Sequence, residues 1–302
     1  QDDADSQYFL GECYFWGDGV SINDKQAASY YQLAAKEGHA SAQYMLGRCY
    51  LMGMGLGKNE KQALKYFRLS AEQNHTGAQY RLGDCYFWGI GVKKNYQQAV
   101  KYFRLAAKQR HADAQYNLGI CYYNGEGVEE NDKQAIKYFR LAAKQDNEDA
   151  QHMLGVCYYF GIGLRENGEV AKKYLSQAAE QNHAAAQYLL GTIYLEGRFV
   201  AADQKKGEEY TRMALENGFE ETEDDKYQRS LILQNAQNTK SRVPPRSKKD
   251  NIVPLFPETT RPNIISQHDS KLVSRKVIKL QRADTKNSNV IYAQDYFIKK
   301  FE

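Results

Sequence analysis

Residues 15–24 read FWGDGVSIND, and two readings compete for the glycines at 17 and 19. A glycine-rich loop that opens a helix can cradle a phosphate, or the pair can simply turn the chain. Variants follow downstream as MGMGLGKNE, WGIGVKKN, NGEGVEEND and FGIGLRENG. Leu-Gly stands at 10, 46, 82, 118, 154 and 190, always 36 residues apart. Tyr keeps the same step at 14, 50, 86, 122, 158 and 194, and Gly at 17, 53, 89, 125, 161 and 197. A second Tyr keeps it at 30, 66, 102, 138, 174 and 210. A fixed period of this kind is the mark of stacked supersecondary units. The glycines follow a helix rather than a strand and lack the third Gly of a dinucleotide loop, so they read as a turn.

Each unit reads as two helices. In the second, helix A carries Ala42, Leu46, Cys49 and Tyr50 at helical spacing, with Gly47 on the same stripe to admit a close neighbour. Helix B carries Ala63, Tyr66, Phe67, Ser70 and Ala71. Neither stripe can be buried within one hairpin, so neighbours must stack into a continuous core. Gly17, Gly53, Gly89, Gly125 and Gly161 read as left-handed ends of helix A. Asn23, Asn59, Asn95, Asn131, Asn167 and Asp203 read as N-caps of helix B. Gln26, Gln62, Gln98 and Gln134 stand three residues later and would complete capping boxes.

The pattern AxxxLGxxYxxGxGVxxNxxQAxxYxxLAA resembles the Sel-one-like repeat (SLR) family, a relative of the tetratricopeptide repeats, over roughly residues 4–219. The resemblance implies an all-α fold: a right-handed αα superhelical solenoid of six 36-residue helix-turn-helix repeats over 1–219. A capping helix over 220–239 and an extended basic tail over 240–302 would follow. It also implies an adaptor rather than an enzyme, acting in signalling, membrane-protein quality control, or bacterial envelope and virulence functions. The sixth repeat departs from the pattern, with Phe199 for the second Gly and Gly207 for Ala, which reads as a terminal repeat relaxing toward a cap.

Composition bounds the rest. Hydrophobic residues make up 42% of the 302-residue chain, enough for a sizeable core, and Tyr outnumbers Phe by 24 to 12. No apolar run approaches the ~18 residues that cross a bilayer. A chain that begins at Gln1 reads as a processed or engineered fragment whose leader, if any, is gone. The formal charge of +4 hides a tail of net +8 over 240–302 against a body of net −4.

Cys13, Cys49, Cys85, Cys121 and Cys157 share the 36-residue step, with Ile193 at the sixth position. Equivalent points on stacked hairpins lie about 9–10 Å apart, too far for a disulfide or a zinc centre. They read as buried free thiols, compatible with a cytoplasm, the cell's own or a host's. Some family members pair cysteines within a repeat; one cysteine per repeat does not allow that scheme. His39, His75, His111 and His183 read as ends of helix B, placed to favour its dipole. No catalytic constellation, metal site or cofactor motif stands out.

In the related tetratricopeptide repeats the groove-lining side chains flank the Leu-Gly and Tyr landmarks. Carried across, they imply three series on helix A. One is Tyr8, Tyr44, Tyr80, Tyr116, His152 and Tyr188, which reads equally as a structural stack. Another is Glu12, Arg48, Asp84, Ile120, Val156 and Thr192, and the third is Trp16, Met52, Trp88, Asn124, Phe160 and Glu196. The last two vary freely between repeats, as a surface tuned to one partner would. The expected function is a non-enzymatic adaptor holding a protein partner, peptide or helix, in the concave groove, in bacterial signalling or as a secreted effector. Trp16 and Trp88 would anchor the partner, and Glu12, Arg48 and Asp84 would set specificity.

Beyond Phe219 all five prolines fall in one linker, and Val273, Val277 and Leu280 share a helical face with basic residues opposite. That face suits an anionic membrane surface or a partner groove. Nucleic acid is disfavoured because no binding fold accompanies the charge. A tail-driven membrane adaptor and an envelope hydrolase are the alternatives.

Overall fold

The computed structural model describes residues 3–221 together with 226, 229 and 230. The expected tail over 240–302, and all but a few residues of the expected capping helix, lie outside them. Among the described residues there are twelve helices and no strand. They pair as α1 (Ala4–Trp16) with α2 (Asp24–Lys36), α3 (Ala40–Met52) with α4 (Glu60–Glu72), and α5 (Thr76–Trp88) with α6 (Tyr96–Lys108). Then come α7 (Ala112–Asn124) with α8 (Asp132–Ala143), α9 (Glu148–Phe160) with α10 (Gly168–Glu180), and α11 (Ala184–Glu196) with α12 (Gln204–Glu216). The described residues form two compact units, one through Gln145 and one from Asp146 onward.

The turn reading of FWGDGVSIND holds in atomic detail. Gly17 has φ +78 and closes α1 by donating to the Cys13 carbonyl. Asn23 caps α2, its Oδ1 accepting from Gln26 N at 3.1 Å. The capping box is only half formed, because the Asn23 N–H donates to the Tyr14 carbonyl at 2.8 Å rather than to a glutamine side chain. That bond recurs from Asn59 to Tyr50, Asn95 to Tyr86 and Asn131 to Tyr122. A helix-A carbonyl thereby fixes both where the loop ends and where helix B begins. The amides a phosphate cradle would offer are engaged: Asp18 N and Met54 N bind the Cys13 and Cys49 carbonyls, and Gly91 N binds a Glu60 carboxylate oxygen.

In the first unit the core is a run of local clusters. Ala27, Ala28 and Tyr31 of α2 pack with Ala42, Leu46 and Cys49 of α3, and Leu64 and Phe67 of α4 with Leu82 and Cys85 of α5. Val100 and Phe103 of α6 repeat the arrangement with Leu118 and Cys121 of α7. Gly47 is required by this packing, since a Cβ there would lie 2.7 Å from Phe67 Cδ1, and Phe67 is fully buried. The second unit packs Leu175 of α10 with Leu190 and Ile193 of α11.

The two tyrosine series pair within each hairpin. Tyr14–Tyr30, Tyr50–Tyr66, Tyr86–Tyr102, Tyr122–Tyr138, Tyr158–Tyr174 and Tyr194–Tyr210 stack with centroids 5.6–6.0 Å apart and planes within 10° of parallel. Helix B of one repeat reaches the next through the same rings, as Arg68 and Arg104 donate to the hydroxyls of Tyr86 and Tyr122 at 3.1 Å.

The periodic histidines do not end helix B. They are the N-caps of α3, α5, α7 and α11, where Nδ1 of His39, His75, His111 and His183 accepts from the N–H three residues on. Asn147 does the same for α9. Helix B ends three residues before each histidine, so the imidazole serves the positive end of the next helix instead.

Candidate functional site

Helix A carries the candidate residues, and the first unit shows how they are held. Tyr8, Tyr44 and Tyr80 are half-buried, and each stacks on the cap histidine of the following repeat, His39, His75 and His111, at 4.5–4.7 Å. Tyr44, Tyr80 and Tyr116 also lean on Phe67, Phe103 and Phe139. The series therefore binds repeats to one another while showing one edge to solvent.

Glu12 accepts hydrogen bonds from the Tyr31 hydroxyl at 2.5 Å and from Trp16 Nε1 at 3.2 Å. Trp16 remains 51% exposed, with the Phe15 ring at right angles to its indole. Two repeats on, Trp88 is 49% exposed and stands against Phe87 in the same geometry. Met52 between them is half-buried.

Arg48 and Asp84 are buried rather than presented to solvent. The Arg48 guanidinium lies 5.9 Å from the centroids of both Phe15 and Tyr44. Asp84 accepts from Arg81 Nη1 and Asn117 Nδ2, each at 3.3 Å. Burial pushes its carboxyl up to about 7, with Asp113 adding to the rise and Arg81 opposing it. Arg81 and Asn117 were not singled out from the sequence. They occupy the register of Phe9 and Met45, next to the Tyr series and three residues before the Asp84 series, which is the signal that would have found them.

In the second unit, His152 is buried against His183 at 4.6 Å, and burial holds it well below the usual imidazole range. Phe160 is half-buried and stands edge-on to Tyr159, whose hydroxyl donates to Glu196 at 3.0 Å. Arg198 lies 4.5 Å over the Tyr159 ring and binds Glu166 at 3.1 Å. The candidate residues are thus brought together in sets within each unit.

A second periodic system escaped the sequence reading. Buried Gln79 donates to the Ala71 carbonyl and accepts from Gln109 Nε2 at 2.9 Å, and Gln109 also donates to the Asn74 carbonyl at 3.1 Å. Gln43 with Gln73, Gln115 with Gln145, Gln151 with Gln181 and Gln187 with Asn217 make the same amide pair. The recurring Ala-Gln-Tyr/His tripeptide was its visible trace.

No disulfide joins the five cysteines; Cys13 is half-buried and the others buried, which pushes Cys49 and Cys85 up to about 12. Among the described residues no group of three or more His, Cys, Asp or Glu side chains is placed to hold a metal ion, and no helix is long and apolar enough to cross a membrane.

The Sel1 repeat family matches six consecutive segments: residues 4–39, 40–75, 76–111, 112–147, 148–183 and 184–219. A protective antigen of uropathogenic Escherichia coli strains that displays an SLR fold is similar at 36% identity and TM-score 0.66, over 71% of this chain and 46% of that one. The chain therefore spans less than half the length of that relative. A Sel1 repeat protein from Oxalobacter formigenes is similar at 32% identity and TM-score 0.66, over 71% of this chain and 88% of its own. No curated protein matches the chain. With a helix pair for each matched segment and the same repeat in solved relatives, the chain belongs to the Sel1 repeat family.

Proposed function

We propose that the chain is a non-catalytic adaptor that holds a protein partner against the exposed face of its A helices. Sel1 repeat proteins act generally as protein-interaction scaffolds, and their fold is a non-catalytic one. The observation that carries the reading here is the matched pair Trp16 and Trp88. Two tryptophans at one register position, each about half exposed and each propped by a perpendicular Phe, are poor core residues and good interface anchors. Their rigid, amphipathic rings lose little conformational entropy on binding.

Within the first unit Tyr8, Tyr44, Tyr80, Tyr116 and Met52 extend the face, Phe160 holds the register of Trp16 in the second unit, and Glu12 fixes the rotamer of Trp16 through its indole N–H. Arg48 and Asp84 contribute by setting the positions of neighbouring rings, since their own burial leaves little to touch. The partner would be a peptide or helix with apolar side chains for the indoles. Pull-down from a lysate of the source cells with the Trp16→Ala/Trp88→Ala chain tests this, and partner capture equal to that of the unaltered chain refutes it. The net +8 of residues 240–302 favours an additional contact with an anionic membrane surface, read by sedimentation with acidic liposomes.

A further inference from the structure

Lys65, Lys101 and Lys137 occupy one register position on α4, α6 and α8, and neutral rings hold all three. Their Nζ atoms lie 5.5–5.8 Å from the centroids of Tyr66, Tyr102 and Tyr138, rings already fixed in the stacked tyrosine pairs. One turn on, Arg68 and Arg104 donate to the tyrosine hydroxyls of the next repeat. Ring and hydroxyl attract a cation but carry no net charge, so they place it without neutralising it. Among the described residues none of the three lysines has a carboxylate within ion-pair distance.

The surplus is confined to this face. In the first unit α4, α6 and α8 hold nine Lys or Arg against three Asp or Glu, whereas α3, α5 and α7 hold two against two. In the second unit α10 and α12 hold five against five, and Lys172 and Arg212 are paired with Glu169 and Glu216. The buried stripes of α4 and α6 pack on A helices, so their exposed lysines and arginines stand on the side turned away.

Apolar surface runs along the same stripe. Leu69 and Leu141 are each 37% exposed, and Leu105 between them is half-buried. Beside Leu105 a groove of about 260 Å³ is bounded by Val100 and by Val128 of the following loop, with Lys101, Arg104 and Lys108 along it. Lys101, Leu105 and Lys108 fall at i, i+4 and i+7, on one face of α6.

These features select the partner. A polyphosphate backbone has nothing to place in an apolar groove, and leucines recessed between long cations do not reach past lipid headgroups. A peptide helix with acidic and apolar residues on one face uses both. Successive hairpins are on the order of 10 Å apart, close to the roughly 10.5 Å that seven residues of a helix span. Acids one heptad apart would therefore meet Lys65, Lys101 and Lys137 in turn.

We infer that the outer faces of α4, α6 and α8 form a second docking surface, for an acidic amphipathic helix of a partner protein. Its carboxylates meet the lysine row, and its apolar side chains meet the leucines and the groove at Val100 and Val128. The surface shares no residue with the face carrying Trp16 and Trp88, so the two readings stand or fall separately.

Fluorescence anisotropy of a labelled three-heptad helix with Glu and Leu on one face tests this on the full chain. Binding should weaken roughly tenfold in Lys65→Gln/Lys101→Gln/Lys137→Gln, with no change in the thermal unfolding midpoint. Leu69→Ala/Leu105→Ala/Leu141→Ala should weaken it as well, and Trp16→Ala/Trp88→Ala should leave it unchanged. A scrambled peptide of the same composition should bind more weakly. Equal affinity for the lysine variant, for the leucine variant or for the scrambled peptide overturns the inference. Single-stranded DNA or acidic vesicles bound more tightly than the helix, and released by the lysine substitutions, overturn it in favour of a nucleic acid or a membrane. Self-association that the same substitutions abolish overturns it in favour of a second copy.

Discussion

Phe199 and Gly168 are a matched pair: the Phe199 ring fills the space that a side chain on Gly168 would take. In earlier repeats the bulk lies on the other side, with Gly55, Gly91 and Gly127 in the loop facing Asp24, Glu60 and Tyr96 at the start of helix B. Phe199 adopts the same left-handed φ of +65 that the glycines use. Its ring stands edge-on to Tyr159 at 5.7 Å and under Arg198 at 4.9 Å. The departure at Phe199 is therefore an exchange of large and small residues across one contact.

Gly168→Glu should then destabilise the second unit by about 1–3 kcal/mol through overpacking. Adding Phe199→Gly should restore most of that loss, giving a coupling energy above about 1 kcal/mol in a double-mutant cycle. Urea titration of the four proteins measures it; additive losses would show that the two residues do not share the space.

Gly47→Ala should cost about 1–3 kcal/mol, because its methyl meets the immobile Phe67 ring. Gly57→Ala is the control, as nothing lies within 4 Å of a Cβ there and its φ is not left-handed. Thermal unfolding should separate the two clearly, with Gly57→Ala unchanged or slightly more stable.

His75 and His111 link stability to pH. Burial lowers both from the ordinary imidazole value, with His39 adding to the effect at His75 and Asp113 opposing it at His111. The native state keeps these rings neutral so that Nδ1 can accept, whereas the unfolded chain takes up the proton near pH 6.5. Their contribution is therefore intact above about pH 6.5 and is lost as pH falls toward the lower native value. His75→Asn/His111→Asn retains a capping acceptor, as Asn147 does naturally, and should show a smaller fall in Tm between pH 7.5 and 5.0.

Gln109→Ala should cost about 1–3 kcal/mol, since it leaves the buried Gln79 oxygen without its amide donor. Gln109→Leu/Gln79→Leu should recover part of that, which denaturant unfolding can resolve.

The repeat, its helix pairs and the turn at Gly17 were legible because each depends on residue type at fixed spacing. The buried series containing Leu46, Phe67 and Cys49 followed from the same period. The role of His75 was not legible: both the end of one helix and the start of the next lie within three residues, and only hydrogen-bond geometry says which it serves. The Gln43–Gln73 pair was hidden for a different reason. Polar residues at helical spacing read as solvent-facing until a neighbouring carbonyl and a second amide are seen to satisfy them. Variation marked Arg48 and Asp84, but variation alone does not tell an exposed side chain from a buried one, and both are buried.

The amide pairs also bear on how the first unit gives way under load. Gln73 holds both Gln43 and the Gly38 carbonyl, and Gln109 holds both Gln79 and the Asn74 carbonyl. The last turn of one hairpin is thereby tied to the last turn of the one before it, by the same short tether at each step. Pulled from one end, such an array would let go hairpin by hairpin, in steps of equal size.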